Sequence, residues 1–240
     1  MFSRSEIFAE NDCGVRIMNT PDLARYIDHT CLRPDATPSD IARLCAEAAE
    51  FHFLTVCVNP RYVPLAKEHL CGTEVKPIAV VGFPLGVNLT RVKSFEAEKA
   101  IAEGAREIDM VLWIGGLKEK KYETVERDIR EVVLACAGAP VKVILETGLL
   151  THDEKFIACR ISEQAGAQFV KTCTGFAKGE ATVSDVVLMR SAVSASMGVK
   201  ASGGIRTRAA AQALISAGAN RLGTSSSVAL IKDTASDGGY

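Results

Sequence analysis

The stretch Gln168-Phe169-Val170-Lys171-Thr172 is a short apolar run that contains one lysine. A run of this length between helical patterns is typical of a parallel strand that is buried on both faces. An ammonium group in such a strand is unfavourable unless a carboxylate pairs with it or it loses its proton. Residues 197–201 repeat the arrangement, with Lys200 in the place of Lys171. The two stretches therefore predict a parallel sheet that carries two lysines.

Eight strand patterns alternate with helical patterns along the chain. The strand patterns are Ile27–Thr30, Leu54–Val58, Ile78–Val81, Glu107–Leu112, Val141–Thr147, Gln168–Thr172, Met197–Ala201 and Asn220–Gly223. The clearest helical pattern, between the fourth and fifth strands, places apolar residues three and four positions apart from Tyr122 to Cys136. Eight strand–helix units predict a closed (β/α)8 TIM barrel of the α/β class. An open doubly wound sheet is the alternative, but no Gly-x-Gly-x-x-Gly pattern follows the first strand.

The length of 240 residues suits one α/β barrel as a single domain. We expect a short helical or loose extension over residues 1–19 and the barrel over residues 20–240. The extension carries charged residues before any long apolar stretch, which argues against a signal peptide. The longest apolar run, near residues 78–87, contains glycine and proline and is too short to span a bilayer.

Charge, cysteine and histidine usage exclude several classes of protein. The formal charge of −1 gives no reason to expect a nucleic acid or a membrane surface as partner. The eight cysteines contain no Cys-x-x-Cys pair and fit free thiols in a reducing cytoplasm. The four histidines are scattered, so we expect neither a metal site nor a cofactor.

Alternation along the strands predicts an unusually polar barrel interior. Residues two apart share a face, which groups Lys142 with Glu146 and Glu107 with Asp109. Lys171 and Lys200 would add two lysines near the carboxyl ends of the sixth and seventh strands, where barrel enzymes build their sites. Six ionisable groups are difficult to explain by stability alone, because buried ion pairs contribute little net stability. For Lys142, Glu107 and Glu146, structural ion pairs at the barrel mouth remain an alternative.

Two neighbouring lysines favour a neutral amine. Adjacent parallel strands lie about 4.8 Å apart, so the two ammonium groups could lie roughly 6 Å apart. At an effective dielectric constant of about 20 their repulsion is about 3 kcal/mol, which raises the neutral fraction about a hundredfold. Lys171 would then attack a carbonyl to form an imine, while Asp109 would keep Lys200 charged. The pattern predicts a Schiff-base enzyme.

Two glycine-containing loops predict a phosphate site. Ser202-Gly203-Gly204-Ile205-Arg206-Thr207 follows the seventh strand, and Gly223-Thr224-Ser225-Ser226 follows the eighth. Barrel enzymes commonly hold phosphate in these loops, where backbone N–H groups can approach an anion. Thr174-Gly175, just after Lys171, could close a third side. Helix capping by Thr207 and Ser225 is the alternative.

The chain resembles the deoxyribose-phosphate aldolase family from about residue 20 to its end. The motifs that carry the resemblance occur in order on successive strands, at residues 27–30, 56–60, 80–86, 107–111, 146–148, 170–175 and 200–206. The resemblance implies a metal-independent class I aldolase on a (β/α)8 barrel, often dimeric. Such an enzyme interconverts 2-deoxy-D-ribose 5-phosphate with D-glyceraldehyde 3-phosphate and acetaldehyde, which would be this chain's small-molecule partners.

The resemblance also implies roles for individual residues. Lys171 would form the imine, Lys200 would be the cation that favours its neutral form, and Asp109 would move protons through a water. Tyr240 would reach back to the site from the chain end, although a frayed terminus without a role is the alternative. The remaining expected contacts are to the substrate by Asp28, Thr30, Cys57 and Thr174, and to phosphate by Gly175, Gly203, Gly204, Ile205, Gly223, Ser225 and Ser226. For Cys57 an inert core thiol is the favoured alternative.

Two other functions remain open on the sequence. Another class I phosphosugar aldolase or a transaldolase would use the same lysine chemistry with a different acceptor pocket. A phosphosugar-binding protein without turnover is the non-enzymatic alternative. It is disfavoured because sensing needs no reactive amine.

Overall fold

The computed structural model describes residues 23–234, which form a closed barrel of eight parallel strands. Each strand pairs with the next one in chain order, and the last pairs with the first through Ile27 opposite Leu222. The predicted (β/α)8 class is thereby confirmed, and the open sheet was the wrong alternative. The strands are β1 (Ile27–Cys31), β2 (Thr55–Val58), β3 (Lys76–Val81), β4 (Ile108–Val111), β5 (Val141–Ile144), β6 (Phe169–Lys171), β7 (Gly198–Ser202) and β8 (Arg221–Thr224).

The helices surround the strands, and several begin at a threonine cap. The side chains of Thr37, Thr151, Thr182 and Thr207 each accept a hydrogen bond from a backbone N–H three residues later. None of the helices within residues 23–234 has the length and apolar character that a membrane crossing requires. The helices are α1 (Pro38–Glu50), α2 (Val63–His69), α3 (Thr90–Glu103), α4 (Ile114–Lys118), α5 (Tyr122–Ala135), α6 (His152–Gln164), α7 (Val183–Ala192), α8 (Arg208–Ser216) and α9 (Ser227–Lys232).

The two faces of each strand have different surroundings. Outward-facing side chains such as Val56, Met110 and Val170 pack against the helices in the main core. The helix predicted between the fourth and fifth strands is α5, which buries Val125 and Ile129 against this core. The main core therefore lies between the sheet and the helices and leaves the barrel interior for other residues.

The interior divides into an apolar side and a charged side. On the apolar side Cys57, Ile78 and Val80 form a separate cluster with Leu32, and Phe83 packs against it. The interior positions of the later strands carry ionised side chains instead. Most barrels of this class fill the interior with branched apolar residues, so the charged half marks a functional region.

The fifth strand ends earlier than the sequence predicted. The fifth strand was predicted to reach Thr147, but β5 ends at Ile144 and a 3₁₀-helix covers Thr147–Leu149. Glu146 takes a left-handed conformation with φ of 58°. The prediction that Glu146 shares a face with Lys142 is therefore wrong, because alternation holds only while the strand continues.

Two parts of the predicted organisation lie outside the described residues. The proposed extension over residues 1–19 is not covered. The barrel boundaries at residues 20 and 240 fall just beyond the described range of 23–234. Both therefore stay predictions.

Candidate active site

The carboxylate of Asp109, on β4, accepts hydrogen bonds from three lysines in the barrel interior. Lys142 on β5 donates to one carboxylate oxygen at 2.9 Å. Lys171, the last residue of β6, and Lys200 on β7 donate to the other oxygen at 2.9 and 2.8 Å. Only Lys171 retains any exposure, at 3%, and the other three residues are fully buried. Lys200 lies in the middle of its strand rather than at the end, so it sits deeper than the sequence predicted.

Further ion pairs connect this cluster into a closed ring. Lys200 also pairs with Asp28, whose second oxygen accepts from Arg221 at 2.7 Å. Arg221 reaches Glu107 at 3.2 and 3.4 Å, and Glu107 pairs in turn with Lys142. We call the six residues that close on themselves in this way the charge ring. Its members are Asp109, Lys200, Asp28, Arg221, Glu107 and Lys142.

Lys171 is attached to the charge ring but is not part of it. The ring contains three carboxylates and three cations, so it is neutral when every member is ionised. Lys142 and Lys200 each pair with two carboxylates. Within residues 23–234, Lys171 pairs only with Asp109, through an oxygen that Lys200 also uses. A protonated Lys171 is therefore one cation in excess of the neutral ring, and loss of its proton leaves the whole cluster neutral.

Burial and charge act in opposite directions on the pKa values of the ring. Burial disfavours the ionised form of Asp109, but the three lysines outweigh burial and hold its pKa well below the usual range. Burial opposes the charge on Lys200, yet Asp109 and Asp28 raise its pKa. For Asp28, burial is likewise outweighed, and Lys200 and Arg221 lower its pKa. These carboxylates are ionised at neutral pH, and Lys200 is a permanent cation beside Lys171.

Gly223 on β8 makes room for the Lys200 side chain. A Cβ atom at position 223 would lie 2.9 Å from Cε of Lys200 and 3.0 Å from Cβ of Ser202. Carbon atoms in proteins do not normally approach so closely, so any larger residue would displace the lysine. Gly223 therefore helps to position Lys200 against Asp109.

A cavity opens at the carboxyl ends of the strands, with Lys171 in its wall. The glycine loop after β7 and the serine loop after β8 form one side, where Gly203 and Gly204 have φ values of 98° and 73°. Arg206 also lines the cavity and pairs with Glu180 at 3.0 Å. The backbone N–H groups of such loops can approach an anion closely. The predicted residues that line the cavity with Lys171 are Thr30, Thr174, Gly175, Gly203, Gly204, Ile205, Gly223, Ser225 and Ser226.

Glu146 supports the third side of the cavity. Its carboxylate accepts hydrogen bonds from the hydroxyl of Thr174 and from the backbone N–H of Thr174, the latter at 3.2 Å. The Thr174 hydroxyl oxygen accepts from the backbone N–H of Phe176 at 3.1 Å. These contacts fix the turn that carries Gly175, which has φ of 85°. Glu146 thus orders the loop after β6 and makes no contact with the charge ring.

Comparison with known proteins assigns the family. The profile of the DeoC/LacD family aldolases matches residues 23–229, which is most of the chain and includes every residue of the charge ring. This chain belongs to the DeoC/LacD aldolase family. The chain is accordingly an aldolase, a carbon–carbon lyase, and its barrel is the fold that carries this chemistry.

Close relatives cover nearly the whole chain. The deoxyribose-phosphate aldolase of Clostridium novyi is 54% identical over 90% of this chain and 98% of the relative. That of Thermococcus gammatolerans is 56% identical over 88% of this chain and 96% of the relative. The tetrameric deoxyribose-phosphate aldolase of Aeropyrum pernix superposes with a TM-score of 0.83 at 36% identity, covering 89% and 91% of the two chains.

Four of the predicted site residues lie elsewhere than on the cavity wall. Asp28, Asp109 and Lys200 are fully buried in the charge ring beneath it. Cys57 is buried in the apolar cluster beside the charge ring, and burial raises the pKa of its thiol to about 11. Tyr240 lies outside the described residues. Among residues 23–234 no group of His, Cys, Asp or Glu is arranged to hold a metal ion.

Two features of the site were missed from the sequence. Arg221 was not proposed, although it lies two residues before Gly223 in a predicted strand, and alternation would have placed both on the interior face. Leu32, the residue that follows β1, also lines the cavity, and no sequence motif or periodicity marks it as a site residue.

Proposed function

We propose that this chain reversibly cleaves 2-deoxy-D-ribose 5-phosphate into D-glyceraldehyde 3-phosphate and acetaldehyde through an imine on Lys171. One observation carries the proposal: Lys171 is in the cavity wall and shares the Asp109 carboxylate with two other lysines, Lys142 and Lys200. The neutral amine of a lysine in this position can act as a nucleophile toward a carbonyl group. The names of the relatives support deoxyribose phosphate as the substrate.

The proposed reaction begins when neutral Lys171 attacks the open-chain aldehyde of the substrate. Loss of water gives a protonated imine, which then accepts the electrons of the C2–C3 bond as that bond breaks. A water held by Asp109 and Lys200 takes the proton of the C3 hydroxyl. Because its pKa is lowered, Asp109 orients this water and does not retain the proton. Protonation of the enamine and hydrolysis of the imine release acetaldehyde.

The phosphate of the substrate is proposed to bind the loops after β7 and β8. Gly203, Gly204, Ser225 and Ser226 line the same cavity as Lys171, which supports this placement. Thr30 and Thr174 are proposed to contact the sugar from the two remaining sides. Tyr240 is proposed to donate a proton from the chain end.

Reductive trapping tests the function directly. Incubation with acetaldehyde and sodium borohydride should reduce the imine to an ethylated secondary amine, and peptide mass spectrometry should locate it on Lys171. The Lys171→Leu variant should neither label nor cleave deoxyribose 5-phosphate, whereas exposed Lys118→Leu should do both. Label on another lysine would overturn the assignment, and faster cleavage of a ketose phosphate would indicate a different class I aldolase.

We further propose that the chain forms a homo-oligomer, a dimer being the simplest case, in the cytoplasm. An exposed apolar face on α3 and α5 supports the assembly. The seven cysteines among the described residues are all free, which supports a reducing compartment. Cell fractionation would test the location.

A further inference from the structure

Arg221 and Glu107 are two members of the charge ring that take no part in the proposed reaction. Neither lines the cavity that contains Lys171. Both are buried and hydrogen-bonded to each other, and the Arg221 guanidinium lies 5.4 Å from the ring centroid of Phe169. Burial of two opposite charges contributes little to stability compared with apolar packing. Their position beneath the site therefore suggests an electrostatic purpose.

We propose that Arg221 and Glu107 are positioning residues whose opposite charges set how readily the Lys171 amine loses its proton. The inference rests on the proposed function, in which neutral Lys171 is the nucleophile. It assigns a role in the reaction to two residues that do not touch the substrate.

The charge count gives the direction of each effect. With Arg221 present, the ring is neutral and a proton on Lys171 is one charge in excess. Without Arg221, the three carboxylates face only Lys142 and Lys200, so a proton on Lys171 completes a neutral cluster. Without Glu107, two carboxylates face three ring cations, so a proton on Lys171 adds to an existing excess. Loss of Arg221 should favour the cation of Lys171, and loss of Glu107 should favour the neutral amine.

The hydrogen bonds provide a local route for the same effect. Arg221 and Lys200 bind different oxygens of Asp28. Without Arg221, the carboxylate of Asp28 would attract Lys200 more strongly. Lys200 would then leave more of the shared Asp109 oxygen to Lys171. This change would also stabilise the Lys171 cation, in agreement with the charge count.

The groups around the Lys171 amine come from nearly every strand of the barrel. Between β1 and β8 only β3 places no titratable side chain in this region, because it contributes Ile78 and Val80. The titratable or charged groups are Asp28 from β1, Cys57 from β2, Asp109 from β4, Lys142 from β5, Lys200 from β7 and Arg221 from β8, with Glu107 before β4 and Glu146 after β5.

The test is the pH dependence of kcat/KM for deoxyribose 5-phosphate, whose acidic limb reports deprotonation in the free enzyme. Arg221→Met should move this limb to higher pH by about one unit, and Glu107→Gln should move it to lower pH by a similar amount. At a pH below the limb, Arg221→Met should therefore lose about tenfold in kcat/KM and regain it at alkaline pH.

Two control variants separate charge from structure. Arg221→Lys keeps the charge and should leave the limb at its wild-type position. The double variant Arg221→Met/Glu107→Gln removes one charge of each sign and should return the limb to that position. It should fold, because Asp28 keeps Lys200 and Lys142 keeps Asp109.

The outcomes distinguish this inference from the proposed function. If Arg221→Met does not fold, Glu107→Gln and the double variant still give the direction of each shift. The inference would be overturned if the acidic limb lay at the same pH in all folded variants, or moved in the same direction in both single variants. Borohydride labelling of Lys171 would still uphold the proposed function in that case. Failure of wild-type Lys171 to label would overturn both.

Discussion

At the scale of single residues, Lys171 and Lys200 differ in their carboxylate partners rather than in their sequence surroundings. Lys200 pairs with Asp109 and Asp28 and is fully buried, whereas Lys171 shares only Asp109 and reaches the cavity. A lysine with two carboxylates keeps its proton, and its charge then acts on the neighbour. The division into a nucleophile and a permanent cation follows from these contacts.

Replacing Lys200 by methionine should remove that neighbouring charge. Asp109 would keep Lys142 and Lys171, so Lys171 would hold its oxygen alone and remain protonated. We expect kcat/KM at neutral pH to fall about a hundredfold or more, with partial recovery at alkaline pH. The rate should recover at alkaline rather than acidic pH because an amine that is stabilised as a cation loses its proton at higher pH. Steady-state rates across the pH range would measure it.

Lys93 offers a matched control for this variant. It is also a fully buried lysine, but it donates to Asp128 at 2.7 Å and to the Val111 carbonyl at 3.0 Å, outside the barrel interior. Lys93→Met should lower stability without moving the acidic limb. A Lys200→Met enzyme with the wild-type rate and pH profile would contradict the assigned role.

At the scale of structural elements, the glycines of the loop after β7 and the glycine within β8 have different purposes. Gly204 borders the cavity in a left-handed conformation, and a Cβ there would lie 2.3 Å from Cδ of Glu180. Gly223 instead makes room for Lys200. The same substitution should therefore affect binding at one position and chemistry at the other.

Substitution of these two glycines by alanine should change different kinetic constants. Gly204→Ala should disturb the phosphate loop and raise KM for deoxyribose 5-phosphate about tenfold, with little change for unphosphorylated deoxyribose. Gly223→Ala should displace Lys200 and lower kcat for both substrates. Thr207→Ala, which removes the cap of α8, should cost about 1 kcal/mol of stability without either signature. Equal effects of Gly204→Ala on both substrates would contradict a phosphate cradle.

Alternation along strands predicted most of the site but not all of it. It correctly placed Asp109, Lys142, Lys171 and Lys200 on the interior face of the barrel because their strands are regular. It failed at Glu146, where β5 had already ended and the backbone turns left-handed. The number of carboxylates that contact each lysine depends on strand tilt and side-chain reach, so this number cannot be predicted from a sequence pattern.

At the scale of the whole molecule, a closed ring of charged side chains lies inside the barrel, and one group of exposed apolar side chains lies on the outer surface of α3 and α5. On the face formed by α3, α5 and the residue before α3, Leu89, Phe95 and Leu134 are 61, 60 and 68% exposed. Exposed apolar residues that cluster in this way commonly mark a contact surface. Arg91, Glu98, Arg127 and Glu131 line a groove on the same face.

This face is suited to a second copy of the chain. Two arginines and two glutamates line the groove, and a two-fold contact would bring the arginines of one copy to the glutamates of the other. A partner with a strong net charge would match only half of these groups. The mixture of charges around an apolar centre therefore favours self-association.

Light scattering across a range of protein concentrations should show a dimer or a larger even-numbered assembly. Phe95→Glu combined with Leu134→Glu should place like charges at the centre of the contact and shift the protein to monomer, because buried unpaired carboxylates are unfavourable there. Lys171 should still label in this variant, since the face lies outside the barrel. Phe156→Glu on α6, which replaces another exposed aromatic residue, should keep the wild-type mass. A wild-type monomer at all concentrations, or an unchanged mass in the double variant, would contradict this surface as the contact.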